Sequence, residues 1–297
     1  MKEFTAFSFG AGVQSTTILL MICKGELPKP DLIVFADTGW EPQEVYKHLK
    51  WCIDFTSEYQ LEIQIVNNGN LREDILLGKN GKRFPSLPFF TKGVHPIFEE
   101  DVEQDENQLT LFDLEINKEK SPIRFEMRKG MVRRQCTNEY KIMPVKKAIR
   151  KFAGLKHGEK AKNLIVNLWM GISIDEIQRM KQSTDSYIKN IYPLIDMNMS
   201  RSDCFMWLEK NKFPIPPKSS CIGCPFHDDY TWGKMKINDP KSFDDAVIID
   251  NEIRKLPRFN AQAFLHRSCK PLSEIEFSNN QMELNDFINE CTGHCGV

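Results

Sequence analysis

Residues Ser8 to Thr17 read Ser-Phe-Gly-Ala-Gly-Val-Gln-Ser-Thr-Thr and lie between an apolar run, Phe4 to Phe9, and the apolar helical pattern of Ile18 to Ile22. A strand that ends in small residues and opens straight into a helix leaves backbone N–H groups unpaired at the positive end of the helix dipole. An oxyanion is their natural partner. The junction is therefore a candidate phosphate site made of Ser8, Gly10, Ala11, Gly12, Val13, Gln14, Ser15 and Thr16. Gly10 and Gly12 let the chain turn sharply, and Ser8, Ser15 and Thr16 add hydroxyl donors. No Gly-Lys-Ser/Thr follows, so the phosphate-gripping lysine of a Walker A loop is absent.

Thiols form a second constellation. Ser219-Ser-Cys221-Ile-Gly-Cys224-Pro225 puts two of them on one tight turn, a spacing that suits zinc, an iron–sulfur cluster or a redox pair alike. Cys136 sits in the basic segment Arg133-Arg134-Gln-Cys136-Thr-Asn-Glu-Tyr-Lys141, and Cys269, Cys291 and Cys295 are candidates for a fourth ligand. A zinc site would recruit His227 and His294. Cys23, Cys52 and Cys204 fall in apolar helical patterns and read as core residues.

The phosphate-site segment resembles the PP-loop of the ATP pyrophosphatase superfamily. The second strand agrees, because Leu32-Ile-Val-Phe-Ala-Asp37-Thr38-Gly39 followed by Trp40-Glu41-Pro42 resembles the strand-two ending of the phosphoadenosine phosphosulfate (PAPS) reductase family. Met170-Gly171-Ile172-Ser173 with Arg179 resembles the superfamily's fourth-strand motif, in which a Gly-Ile turn lies against the nucleotide. The resemblance implies an α/β fold, a parallel-sheet Rossmann-like PP-loop domain, with Ser8, Asp37 and Gly39 meeting at the carboxyl rim of the sheet. It implies ATP with Mg²⁺ as the cofactor, bordered by Asp37, Thr38, Gly39, Gly171, Ile172 and Arg179. Asp37, Arg133, Arg134, Cys136 and Lys141 would be the catalytic set. Cys136, Cys221 and Cys224 resemble the cluster ligands of adenylylsulfate reductases, with Gln135 standing where a paired cysteine would be. Three ligands also resemble the [4Fe–4S] centres of PP-loop tRNA-thiolating enzymes, zinc being the alternative metal.

The chain has 297 residues, enough for one large domain and a smaller appendage, and a net charge of −1. That balance hides local polarity. Six acids fall in the eight residues from Glu99 to Glu106, whereas Arg124 to Lys151 carries ten Lys/Arg against two Glu. No apolar run approaches the roughly 18 residues of a membrane span, and the amino-terminal residues read as a strand rather than a signal peptide. The expectation is a cytoplasmic protein with no membrane contact and its cysteines reduced.

Strand patterns at Leu61–Val66, Leu164–Met170 and Tyr187–Tyr192 alternate with helical ones at Gln43–Tyr59, Met143–Phe152, Ile174–Met180 and Ser200–Asn211, the rhythm of a parallel sheet covered on both faces. The division expected is a nucleotide-binding domain over 1–212, interrupted by an insertion at about 80–132, and a helical, cysteine-bearing module over 213–297 with helices near Tyr230–Ile237 and Ser242–Lys255. Inside the insertion, Gln108-Leu-Thr-Leu-Phe112 resembles the bacterial sliding-clamp-binding pentapeptide. The function expected first is ATP-driven adenylation and sulfur transfer onto a nucleic acid, DNA or tRNA, similar to the sulfurtransferase of DNA phosphorothioation, with a cysteine desulfurase supplying the sulfur. A PAPS or adenylylsulfate reductase and a non-catalytic nucleotide-sensing module are the alternatives.

Overall fold

The computed structural model describes residues 2–78, 87–97, 124–256 and 261–277. They divide into two compact units, Met1–Asn70 with Thr137–Cys221, and Leu71–Cys136 with Ile222–Met282. This differs from the division expected from sequence at 212/213. The reason is pairing over long sequence distance, which no local signal carries.

The first unit follows the expected βα rhythm. In chain order it holds β1 (Lys2–Phe9), α1 (Val13–Lys24), β2 (Leu32–Ala36), α2 (Gln43–Ser57) and β3 (Ile63–Val66). The second unit begins with α3 (Leu71–Gly78), β4 (Phe90–Ile97) and β5 (Arg124–Met131). The chain then re-enters the first unit with α4 (Met143–Phe152), β6 (Leu164–Met170), β7 (Ile188–Ile191), the single turn α5 (Pro193–Asp196) and α6 (Arg201–Lys210). It finishes in the second with α7 (Asp229–Asn238), α8 (Pro240–Glu252) and β8 (Ala261–Phe264).

Five parallel strands in the order β3-β2-β1-β6-β7 make the main sheet. The chain winds outward from β1 through β2 to β3, then returns on the other side of β1 as β6. The strand order thus reverses between β1 and β6, and the crevice beyond their carboxyl ends is where an open α/β sheet binds ligands.

Strand alternation sends the two faces to different cores. Phe7, Phe9, Ile33, Phe35 and Ile63 pack under α1, α2 and α6 with Ile18, Leu19, Leu49 and Leu208. Phe4, Ala6, Leu32, Val34, Val166 and Leu168 pack under α4 with Val145 and Ile149. Each fully buried Phe or Leu in these layers contributes about 1.5–3 kcal/mol. Ser8 has the parity of Phe4 and Ala6, so it emerges at the carboxyl rim on the α4 side.

Helix α1 is buried along Val13 to Cys23, an unusual fate for a helix whose first turn is Val-Gln-Ser-Thr. Its polar side chains are satisfied internally. The Thr17 hydroxyl donates to Val13 O at 2.9 Å, and the Thr16 hydroxyl meets His48 Nε2 at 3.0 Å. The thiols of Cys23, Cys52 and Cys204 are core groups, their pKa values pushed up to about 11, 12 and 12 by burial.

The second unit has a three-stranded antiparallel sheet ordered β5-β4-β8, in which Phe90 lies opposite Met131 on one side and Phe264 on the other. The stretch expected as an insertion at about 80–132 supplies two of these strands, β4 and β5. Its partner, β8, comes from the carboxyl-terminal third. Arg72 of α3 forks onto Asp245 of α8 at 2.7 and 2.9 Å from Nε, closing the same unit.

His48 carries a testable consequence. It is 7% exposed, and burial lowers its pKa from 6.5 to about 4. The folded state thus holds the neutral ring, so this contribution is full above pH 6.5 and is lost as pH falls from 6.5 towards 4. Melting temperatures of the wild type should fall more steeply over that window than those of His48→Gln. Parallel curves would show that His48 does not titrate on unfolding.

Candidate nucleotide site

A cavity of about 500 Å³ opens at the carboxyl rim, within the first unit, in the size range of cofactor sites. Its floor is the β1–α1 loop, with Ser8, Gly10, Gly12, Gln14 and Ser15 all on the wall. Apolar walls come from Ala36, Val145, Leu168, Met170 and Ile172. Such walls suit a flat, apolar ring, and the loop gives the cavity its polar end.

The loop is braced from within. Ser15 Oγ accepts from Gly10 N–H at 3.3 Å and Gly12 N–H at 3.2 Å, and donates to Gly12 O at 3.2 Å. Ala11 adopts φ 54°, a left-handed conformation that L residues seldom take. The brace occupies two of the N–H groups expected to face phosphate and leaves that task to the first turn of α1, whose N–H groups lack intrahelical partners. Gln14 Nε2 donates to Ser173 Oγ at 3.4 Å and Glu176 Oε2 at 3.2 Å, which ties the loop to the segment after β6.

Gly171 is a steric necessity. A Cβ there would lie 2.8 Å from Ser15 N and 3.0 Å from its Cα, so only glycine lets the end of β6 approach the loop. The Gly-Ile turn seen in the sequence therefore packs directly on the phosphate loop, and both Gly171 and Ile172 line the cavity.

Five cations line the cavity, Lys141, Lys146, Arg179, Lys181 and Lys218, against one carboxylate, Glu41. Partners temper several of them, and Lys141 Nζ lies 3.8 Å from Glu41 itself. Lys146 Nζ pairs with Asp185 at 2.6 Å, and Arg179 pairs with Glu176. The remaining excess suits a polyanion. Lys141 is delivered by a π-helical turn, Asn138–Ile142, in which Met143 N–H bonds Asn138 O five residues back. Pro144 has no N–H for an ordinary i−4 bond, and the turn widens to keep the chain hydrogen-bonded.

Several expected residues stand elsewhere. Asp37 is not on the cavity wall; its Oδ1 accepts from Gly39 N–H at 2.8 Å and from the Tyr46 hydroxyl at 2.9 Å, so it shapes the turn after β2. Thr38 and Gly39 belong to that turn, with Gly39 at φ 72° and Thr38 1% exposed. Ala11, Val13 and Thr16 face the core, and the Thr16 hydroxyl is engaged with His48 rather than offered to phosphate. Arg133 is exposed, and the Arg134 guanidinium lies 5.5 Å from the Phe226 ring centroid.

Cys136, Cys221 and Cys224 are partly buried and in no disulfide. Among the described residues, no three His, Cys, Asp or Glu side chains come together as a metal group. Cys221 instead lies 3.4 Å from Thr38 Oγ1 and donates towards Glu41 Oε1 at 3.5 Å. Cys269, a candidate fourth ligand, is buried with its thiol directed at Thr91 O, and burial raises its pKa. Cys291, Cys295, His294 and the segment Gln108–Phe112 lie outside the described residues.

Glu41, Lys146, Lys181 and the Lys218-Ser219-Ser220 run are wall residues with no role in the sequence reading. Glu41 stands directly after the Asp-Thr-Gly turn. An acid at that place was the available signal.

No family model and no curated protein matches the chain. Among solved structures it is similar to the crystal structure of a phosphoadenylyl-sulfate (PAPS) reductase from Candida auris in a phosphate complex, with 16% identity, 71% of this chain and 74% of that chain covered, and a TM-score of 0.37. It is also similar to U34-tRNA thiolase NcsA from Methanococcus maripaludis with its [4Fe-4S] cluster, with 12% identity, 99% of this chain and 80% of that chain covered, and a TM-score of 0.37. No helix among the described residues is long and apolar enough to cross a membrane.

The contact at Gly171 separates two glycine substitutions. Gly171→Ala forces its methyl into the Ser15 backbone and should cost about 1–3 kcal/mol. Gly10→Ala meets nothing closer than Ser15 Oγ at 3.8 Å and should be nearly neutral. Equal denaturation midpoints for the two variants would overturn this account of the close approach.

Proposed function

We propose that the chain is a PP-loop enzyme that binds ATP in this cavity and uses it to adenylate an oxygen on a nucleic acid before sulfur replaces that oxygen. The observation that carries the reading is the cavity itself: a braced strand-to-helix loop, apolar walls and a five-to-one excess of cations at the switch point of a parallel sheet. The acceptor oxygen would attack the α-phosphorus, forming a P–O bond as pyrophosphate leaves. A sulfur nucleophile delivered as a persulfide would then displace AMP, and a second thiol would cleave the remaining S–S bond.

The protein's part is positioning and charge. First-turn N–H groups of α1 and Lys141 would hold phosphate oxygens, which lowers the barrier where negative charge builds on the leaving pyrophosphate. The placement of Cys221 against Glu41, a wall residue, adds a thiol beside the nucleotide site and favours sulfur chemistry over nucleotide sensing. Reduction of a sulfonucleotide is the less favoured reading, since Gln135 replaces the paired cysteine.

Two parts of the reading rest on residue type alone. A cluster on Cys136, Cys221 and Cys224 would supply a sulfide-binding iron, and no step above passes through it. Iron in the purified chain that persists in Cys221→Ala/Cys224→Ala would exclude it, as would iron absent from the anaerobically purified wild type. Docking on a bacterial sliding clamp through Gln108–Phe112 would place the enzyme on DNA. Calorimetric binding that Leu111→Ala/Phe112→Ala leaves unchanged would remove that part.

The central test is product analysis. With ATP, nucleic acid and a persulfide donor, the wild type should release AMP and pyrophosphate and leave thiolated nucleic acid, and Lys141→Ala should slow this by about 10²-fold. Sulfite from a sulfonucleotide, without pyrophosphate, would replace this reading with the reductase.

A further inference from the structure

Glu41 is the one carboxylate among the described residues that line the cavity, and it is 4% exposed. Its two oxygens are treated differently. Oε1 accepts from the Thr38 hydroxyl at 2.9 Å and lies 3.8 Å from Lys141 Nζ. Oε2 is buried and has no hydrogen-bond partner. Buried polar atoms are rarely left in that condition, and one on the wall of a ligand cavity marks the ligand's place.

The electrostatics narrow what that ligand is. The phosphate loop and the excess of lysines draw phosphate to this cavity, yet a phosphate there meets a carboxylate shielded from water. Two anions so placed repel strongly, because a low dielectric does little to screen them. A divalent cation reconciles both observations, with Glu41 on one side and phosphate oxygens on the other. No three acidic, Cys or His side chains converge among the described residues, so the protein supplies few of its ligands. Such a donor set, one carboxylate with phosphates and water, is the one that suits Mg²⁺.

We propose that Glu41 Oε2 is a protein ligand for a divalent cation of the Mg²⁺ type that bridges to the phosphates of the bound nucleotide. The inference rests on the nucleotide reading above and specifies its phosphate end. Thr38 is then a positioning residue, which aims the free oxygen by holding the other. Lys141 stands on the Oε1 side, 3.8 Å away, and leaves Oε2 to the metal.

The experiment uses Mn²⁺ as a paramagnetic stand-in and a non-hydrolysable ATP analogue. Calorimetry compares analogue binding with Mn²⁺ and with EDTA, and electron paramagnetic resonance reports Mn²⁺ in the ternary complex. For the wild type, Mn²⁺ should tighten analogue binding at least about tenfold, with an immobilised Mn²⁺ signal. Glu41→Gln should lose that gain and the signal, yet bind metal-free analogue as well as or better than the wild type, because a repelling charge is gone. Glu41→Asp, one methylene shorter, should keep part of the gain, and it carries the test if the glutamine variant melts early.

A full Mn²⁺ gain in a folded Glu41→Gln or Glu41→Asp protein would overturn the inference while leaving the nucleotide site standing. Loss of metal-free binding in Glu41→Gln would overturn it too, and would make Glu41 an acceptor for an N–H or O–H of the nucleoside. No analogue binding by the wild type under either condition would refute the nucleotide reading itself, and this inference with it.

Discussion

The approach of Gly171 to the Ser15 backbone is the constraint on which the site depends. β1 and β6 are neighbours with Ser8 opposite Met170, so the residue after β6 must pass over the turn that starts α1. A single methyl at 171 would sit 2.8 Å from Ser15 N. With glycine there, the turn can be held from above by the strand end and from within by the Ser15 hydroxyl. Loop and cavity wall thus become one piece, and the cavity inherits the rigidity of the sheet.

This arrangement explains why so polar a helix start is buried. The first turn of α1 must point its N–H groups into the cavity while its side chains sit between sheet and helices. Each side chain there is matched: Gln14 to Ser173 and Glu176, Ser15 to the loop, Thr16 to His48, Thr17 to its own helix. Leaving any one unmatched would cost about 1–3 kcal/mol. The types Gln, Ser, Thr and Thr therefore serve the fold, and a motif of hydroxyls overstates how many of them can be offered to a ligand.

That division marks what was legible in the sequence. The β1–α1 junction could be read because its signals are adjacent: an apolar run, two glycines, then a helical pattern. Which residues face the ligand was less legible. The helical period turns Val13 and Thr16 to the core while Gln14 and Ser15 stay on the wall, and the Asp37 carboxylate is spent on Gly39 and Tyr46. Lys141 was found through its basic neighbourhood, although the π turn that presents it follows from Pro144. The division into units was illegible, since β4 finds β8 about 170 residues later and each strand is too short to announce a partner. Glu41 lay in plain view, but a partnerless oxygen is a property of packing, not of residue type.

Ala11 shows how the loop's shape is maintained. At φ 54° an L residue sits roughly 1–2 kcal/mol above its ordinary conformations. Glycine would relieve that strain, but Ala11 is 0% exposed and its methyl belongs to the core under α1. Burying a methyl contributes about 0.8 kcal/mol and alanine restricts the unfolded chain, so the two terms nearly offset. The strained turn is then held by the helix behind it, where Ile18, Leu19, Leu20 and Ile22 are all buried to within 1%. Strain concentrated at a ligand-facing loop and balanced by packing elsewhere is how a fold keeps a site in a shape its local sequence would not choose. By the same reasoning, a change deep in the α1 core that touches no ligand should reach the cavity through Ala11.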